Sequence, residues 1–466
     1  MECTLSHLPT ELIGTILETV STPGDLFGII SASPDCYRVF VATPERYLFT
    51  ALRSVVPTPI WAEFCATLCA ASKFQIVVDE ELLAADKASI ILFLDRYFAA
   101  SPDFASPCSK SELLAACKLH YEVSFFLKDI TLKTSQEALF LSQVGILGSP
   151  SNPGSERVTA SEGVEISDAE ELRIYRALLR FELYCRVFRP AQRSDQVTEY
   201  SGDEQFDLFL ERFEPWEVEE ITCVHQHLAG IIEITLSAMN REFEAEVRRL
   251  VADSDALSPK EGTQEDAPQP ESATVSKLED ISSFLDGALH NFSKEFKRHS
   301  IGAISSIISV GLSCMHDLAR SSNTERFELL RRNHTEQSPF MAHALPTLSL
   351  LGALPTNPEE VQREDPAQAN LGYVLYKANE HGGYLGIRRS PSNFPYRALG
   401  YVFWDSARIL SAPFREAFSQ VKTAELSFLS ERYEGLGRKC PEENLSGVKL
   451  SRAQVKILIE KFGLSD

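Results

Sequence analysis

Apolar residues recur every three or four positions along most of this chain, the spacing that lines one face of an α-helix. In the first stretch the helices are short. Leu12, Ile13, Ile16, Leu17 and Val20 make one such pattern, and Leu26, Ile29 and Ile30 make a second. Tyr37, Phe40 and Val41 make a third, and Tyr47, Leu48, Leu52 and Val55 a fourth. Between them a polar residue precedes a proline, at Thr22-Pro23, Ser33-Pro34 and Thr43-Pro44. Proline suits a first helical turn, where its missing N–H has no intrahelical partner anyway, and Pro9 fits that role before the first pattern. Asp25 is placed to cap the second. The expectation is a run of short helices joined by tight corners.

Helical spacing continues behind them. Pro59-Ile60-Trp61 opens a segment with Phe64, Leu68 and Ala71, and residues 88–99 align Ile90, Ile91, Leu94, Tyr97 and Phe98. Ser109 is placed to cap residues 112–118. Ile76-Val77-Val78 fits a short strand or a buried helix end. Gly148–Gly163 is turn-rich and predicts a linker over 148–166. Ser167-Asp168 then precedes a helix aligning Leu172, Tyr175, Leu179 and Leu183. Its Arg173, Arg176, Arg180 and Arg186 read as a solvated face balancing Glu170, Glu171 and Glu182.

Pro215-Trp216-Glu217 starts the longest pattern, through Ile221, His225, Leu228, Ile232, Met239, Phe243, Val247 and Leu250. Glu217, Glu219 and Glu220 stand in its first turn and Arg248-Arg249 in its last, as the helix dipole favours. Residues 252–276 are rich in Asp, Glu, Ser, Pro and Thr and predict a disordered acidic loop. Helical spacing returns at Leu278–Phe296 and Ile301–Met315. Four prolines make 345–368 an extended connection. Leu371–Arg389 fits a hairpin or broken helices, Gly400–Asp405 a buried aromatic helix, and Ser451–Phe462 a last amphipathic helix. The fold class is therefore mainly α, with little or no sheet: a small helical module at 5–50, a helical region at 51–147, and irregular multi-helix bodies at 167–251 and 277–466.

Composition narrows the partners. The 466 residues carry a net charge of −21, which argues against a nucleic-acid or anionic-membrane partner, since phosphate readers need surplus Lys and Arg. No apolar run approaches the ~18 residues that span a bilayer. The start lacks the basic and apolar regions of a secretory leader, and the ten cysteines are scattered without a C-x-x-C pair. Together these predict reduced thiols and a cytoplasmic or nuclear protein.

The N-terminal residues also carry a resemblance. Leu8-Pro9-x-Glu11-Leu12-x-x-x-Ile16-Leu17, then Asp25-Leu26 and an aromatic at Tyr37, resembles the F-box of ubiquitin-ligase receptor subunits. The Ala32-Ser33-Pro34 turn with Tyr37-Arg38-Val39-Phe40 is similar to the F-box-like start of proteins from filamentous fungi. The runs at Pro215–Val224 and Gly400–Asp405, the latter with Arg408, resemble the same group. Ser33-Pro34 stands where that pattern has Cys-Arg, and Tyr37 where it has Trp. The resemblance implies docking to a Skp-type adaptor of a cullin ubiquitin ligase. Leu8, Pro9, Leu12, Ile16, Leu17, Leu26 and Ile30 would form the apolar face and Tyr37 a flat anchor, with an unknown protein substrate held by the helical body.

Chemistry is sparse. No G-x-S-x-G elbow, H-E-x-x-H, kinase signature, phosphate loop or zinc-finger spacing occurs. Cys65 and Cys69 share a helical face with no ligand partner nearby, and of Cys223, His225 and His227 only two share a face, too few to hold zinc. No metal, cofactor or catalytic group is expected. Three readings remain: a non-enzymatic adaptor-docking receptor, a helical scaffold whose first helices belong to its own fold, and an enzyme or small-molecule binder with a pocket in the helical body.

Overall fold

Proline and hydroxyl side chains set where the first helices begin. α1 (Thr10–Thr19), α2 (Pro23–Ala32), α3 (Pro34–Ala42) and α4 (Pro44–Val55) follow one another almost without a gap. Thr22 Oγ1 accepts from the Asp25 amide at 3.0 Å and Ser33 Oγ from the Cys36 amide at 3.3 Å, so each supplies a cap to the helix its neighbouring proline starts. Two details differ from expectation. Pro9 lies just outside α1, where its carbonyl accepts from Leu12 and Ile13. Asp25 stands inside the first turn of α2, so Thr22 is the cap. α4 also runs through residue 50, the expected module boundary, and packs on the body behind it.

The computed structural model describes residues 8–74, 86–99, 104–147, 166–188, 200–257, 306–322, 371–373, 394–411 and 414–417, with scattered positions between 304 and 457. Ile76–Val78, the 148–165 part of the linker, Leu278–Phe296, the 345–368 connection, most of Leu371–Arg389 and nearly all of Ser451–Phe462 lie outside the described residues. Among the described residues the fold is all helix, and no single helix is long and apolar enough to cross a membrane.

α5 (Trp61–Lys73) and α6 (Asp86–Tyr97) lead to α7 (Lys110–Leu147), a helix of 38 residues. Ser109 Oγ accepts from the Glu112 amide at 3.2 Å, and the Glu112 carboxylate accepts from the Ser109 amide at 2.9 Å, a reciprocal cap. The Ser109 and Cys108 amides hold that carboxyl down at about 2. α8 (Asp168–Val187) and α9 (Gly202–Leu208) begin with the same device at Ser167–Glu170 and Ser201–Glu204. α10 (Pro215–Leu257) is the longest described helix. It continues through Leu257, into the stretch expected to be disordered, and residues 258–276 lie outside the described residues. Further along, α11 (Leu312–Arg320) and the short α12 (Phe394–Ala398) and α13 (Ser406–Ile409) are among the described helices.

α8 is the centre. It packs against α5, α7 and α10, and from Ile174 to Val187 nearly every side chain is buried. A helix buried on all sides needs apolar residues all round, and Ile174, Ala177, Leu178, Phe181 and Leu183 supply them. Aromatic rings extend this core, with Tyr184 of α8 and Phe188 just after it meeting Phe209, and Tyr97 of α6 and Phe98 just after it meeting the same ring.

The arginines of α8 overturn the expectation of a solvated face. Arg180 is buried and donates to Glu217 of α10 at 2.7 Å and to Glu63 of α5 at 3.2 Å. Arg176 pairs with the same Glu63 at 3.3 Å. Arg173 bonds the carboxylate of Asp405 and the carbonyl of Phe403. Arg186 pairs with Glu182, whose buried carboxylate also accepts from the Leu312 amide at 2.7 Å and so caps α11. Gly311 makes that approach possible. Its φ is +99°, and a Cβ would stand 2.6 Å from the Glu182 carboxylate.

The acidic first turn of α10 is likewise interior rather than a dipole ornament. Glu219 receives a two-pronged pair from Arg397, at 2.5 and 3.2 Å, with both partners buried. Arg408 grips Glu170 at the start of α8 through two bonds of 2.7 Å, and the Asp405 amide adds a third at 2.9 Å. Burial works against the Glu170 carboxylate, yet Arg408 and the Ser167 and Asp405 amides outweigh it and hold the group below its usual range. Gly400–Trp404, expected as an aromatic helix, is a buried turn between α12 and α13. Gly400 has φ +60° and lies against Thr134 of α7, where a Cβ would come within 2.9 Å; that left-handed residue stops the helix.

Two outcomes test this charged layer. Arg397→Met strands a buried carboxylate and should cost about 3–5 kcal/mol, read from denaturant midpoints, with Glu219→Gln on the same chain restoring part of it. Glu220, buried in α10, makes no ion pair or hydrogen bond among the described residues, and burial pushes its carboxyl up to about 8 against the pull of Arg180. The folded chain therefore keeps a proton that the unfolded chain gives up near 4.5, so this group makes stability fall as pH rises from about 4.5 to 8. Glu220→Gln should match the parent at pH 4.5 and exceed it at pH 8.5, measured by thermal melts.

Candidate docking face of the N-terminal helices

α1 divides into three sectors by its geometry, since successive residues turn by about 100°. Ile13, Leu17 and Val20 face inward. Leu8, Leu12 and Ile16 stand four apart on a neighbouring sector. Glu11, Gly14, Thr15 and Glu18 occupy the third, toward α4.

The eight residues named from the sequence separate accordingly. Leu12 is 51% exposed and Tyr37 56%. Pro9 is exposed, and Leu8 and Ile16 are half-buried, Leu8 resting against the edge of the core. Leu17, Leu26 and Ile30 are a correction. They are buried among Ile13, Cys36, Phe40, Tyr47 and Leu48, because four short helices joined by tight corners must each turn a face toward the others to bury any core at all. These three side chains hold the module together and offer nothing to a partner.

Other exposed apolar side chains were not picked out from the sequence. Val41 is 48% exposed one helical turn after Tyr37 on α3, and Phe27 and Phe49 are partly open on α2 and α4. Their i+4 and i+1 relation to Tyr37, Leu26 and Leu48 was the available signal, since each sits at the margin of an inward stripe. α3 packs on both α1 and α2, so these helices present their outer residues from one rigid unit. Exposed large apolar groups gathered on a small module mark a surface for a partner more often than a scatter does.

The remaining candidate chemistry is interior. Cys65 is buried, and burial raises its thiol to about 11, so it stays protonated and unreactive at neutral pH. Cys69, four residues on, is half-buried. His227 Nε2 lies 2.8 Å from Asp129 of α7, while Cys223 is buried in the core. His120 bonds the Tyr175 hydroxyl at 2.9 Å, and burial, helped by Lys128, drives the imidazole down to about 4. Burial and Arg397 do the same to His225. Among the described residues no three His, Cys, Asp or Glu side chains converge on a metal position. Cys65, His120 and His225 are all shifted first by burial, that is, by dense packing.

No family model, curated protein or solved structure matches this chain.

The division of α1 has a direct check. Leu17→Ala should destabilise the protein by about 2–5 kcal/mol, the cost of a core cavity. Leu12→Ala should shift stability by less than about 0.5 kcal/mol, as an exposed position does. Urea denaturation of the two variants measures both.

Proposed function

We propose that the N-terminal helices dock a Skp-type adaptor of a cullin ubiquitin ligase, and that the helical body presents a protein substrate to it. In this reading the chain makes and breaks no bond. The observation that carries it is the exposed apolar set Leu12, Tyr37 and Val41, on a module whose inner faces are already filled. Docking helix against helix gains roughly 25 cal/mol per Å² of apolar surface covered, before the costs of association. Leu8 and Ile16 flank Leu12 on the same α1 sector and extend the face; Tyr37 is its aromatic anchor, the residue type that most often dominates an interface.

A second reading is supported by a separate observation. α4 packs directly on α7, and Leu17, Leu26 and Ile30 are core, so the first helices are built into the body. That is the arrangement of a helical scaffold whose N-terminus serves its own fold. The two readings differ only in whether the outer face is occupied.

Capture of the intact chain by purified Skp-type adaptor decides between them. Leu12→Asp with Tyr37→Ala changes exposed positions only, so helix content and melting temperature should match the parent. Binding weakened by about tenfold or more in that variant supports docking. Absence of capture by the intact chain sinks it and leaves the scaffold.

A further inference from the structure

Where α7, α8 and α11 meet, two carboxylates share one guanidinium. Glu182 of α8 is fully buried and takes both Arg186 on its own helix and the Leu312 amide at the start of α11. Glu122 of α7 stands beside them with a side chain only 4% exposed. It is left with the Ser313 hydroxyl of α11 and with Lys118, 3.7 Å away and largely in solvent. Among the described residues Glu122 Oε1 and Arg186 Nε make no hydrogen bond, and Glu182 Oε1 meets Arg186 as an ion pair without hydrogen-bond geometry. A buried acceptor and a buried donor left over in one junction are uncommon in a packed interior.

Charge explains the arrangement. A single guanidinium cannot neutralise two enclosed carboxylates, and the second cation, Lys118, is too well hydrated to make up the difference. Burial raises the Glu122 carboxyl above its usual 4.5 against the pull of Ser313, Lys118 and Arg186, and the charge on Glu182 pushes the same way. One further titratable group lies on α11. His316 stands one turn beyond Ser313, its Nδ1 3.5 Å from Asp317 and its ring against Tyr121 and Phe125 of α7.

We propose that Glu122 is a proton-operated latch on the start of α11. Neutral, it lies next to Glu182 without repulsion, and Glu182 keeps Arg186 and the Leu312 amide. Ionised, it repels Glu182 and draws on the unused Nε of Arg186, so the cap on Leu312 gives way and α11 loosens from α7. The folded chain holds a proton that the unfolded chain gives up near 4.5, so the latch is closed at low pH and opens as pH rises through the raised value. What it uncovers is the Tyr121–Phe125 stretch of α7, where Arg320 of α11 also donates to the Tyr121 hydroxyl at 2.5 Å.

Hydrogen exchange of the α11 amides in the full chain, read by mass spectrometry and corrected for the intrinsic rate at each pH, tests the latch. Between pH 5 and pH 9 their protection should fall about tenfold more than that of the α5 amides, which report any change in global stability. Glu122→Gln should remove the step. Lys118→Met, a change at an exposed position, should move it to higher pH by about twofold in proton affinity, the scale of one exposed ion pair. No step in the parent, or a step that persists in Glu122→Gln, overturns the proposal, and persistence there with loss in His316→Asn assigns the step to the imidazole instead. Should Glu122→Gln fail to fold, Lys118→Met decides, and a step at an unchanged pH overturns the latch.

Discussion

A guanidinium taken out of water must meet an anion where it comes to rest, and α8 buries Arg180 in the middle of the protein and half-buries Arg173, Arg176 and Arg186. Removing such charges from water costs several kcal/mol per ion, so the helices around α8 are held to positions that return the loss. Glu63 fixes the face of α5, Glu217 the register of α10, and Asp405 the seat of the C-terminal turn. Apolar packing alone tolerates small slips of one helix over another. A donor and acceptor at 2.7 Å do not, since misalignment leaves both buried and unpaired. The ion pairs thus act less as a source of net stability than as a specification of one arrangement among many that would bury similar area.

The N-terminal helices inherit that order through α4 and α7. Their outer residues are not on a tethered, independently moving domain but on an extension of the same packed body. A partner meeting Leu12 and Tyr37 meets positions already fixed, so little conformational entropy is lost at the protein's side of the contact. Leu12 and Ile16 lie on a sector of α1 adjacent to the one that carries Glu11, Thr15 and Glu18.

Much of the local structure was legible because it depends on near neighbours. Thr22 and Ser33 before their prolines, and Ser167 before Asp168, mark helix starts through hydrogen bonds closed within a few residues, and Pro44 after Thr43 marks one without a side-chain cap. What escaped depends on distant residues. The α8 arginines at spacings of three and four look the same whether their counter-charges lie in water, on the next turn, or on another helix; Arg186 finds Glu182 on the next turn, while the partners of Arg173 and Arg180 stand 37 to 232 residues away. The outer apolar face of the N-terminal helices was legible in part for a related reason. Leu12, Ile13, Ile16 and Leu17 fill two adjoining sectors of α1, and periodicity cannot choose which of two apolar sectors turns inward. The neighbours chose Ile13 and Leu17. Tyr37 and Leu12 remained outside, while Leu26 and Ile30 went in.

The closure of Glu170 on Arg408 and of Glu219 on Arg397 joins residues 238 and 178 positions apart. A chain emerging from the ribosome presents α8 and α10 long before the segment that neutralises them has been made. Until then two buried-to-be carboxylates face solvent, and the cleft that later receives Tyr401, Phe403 and Trp404 is open and apolar. The nascent chain accordingly passes through a prolonged interval in which its most cohesive region is its least finished, and this is where a chaperone has most to shield.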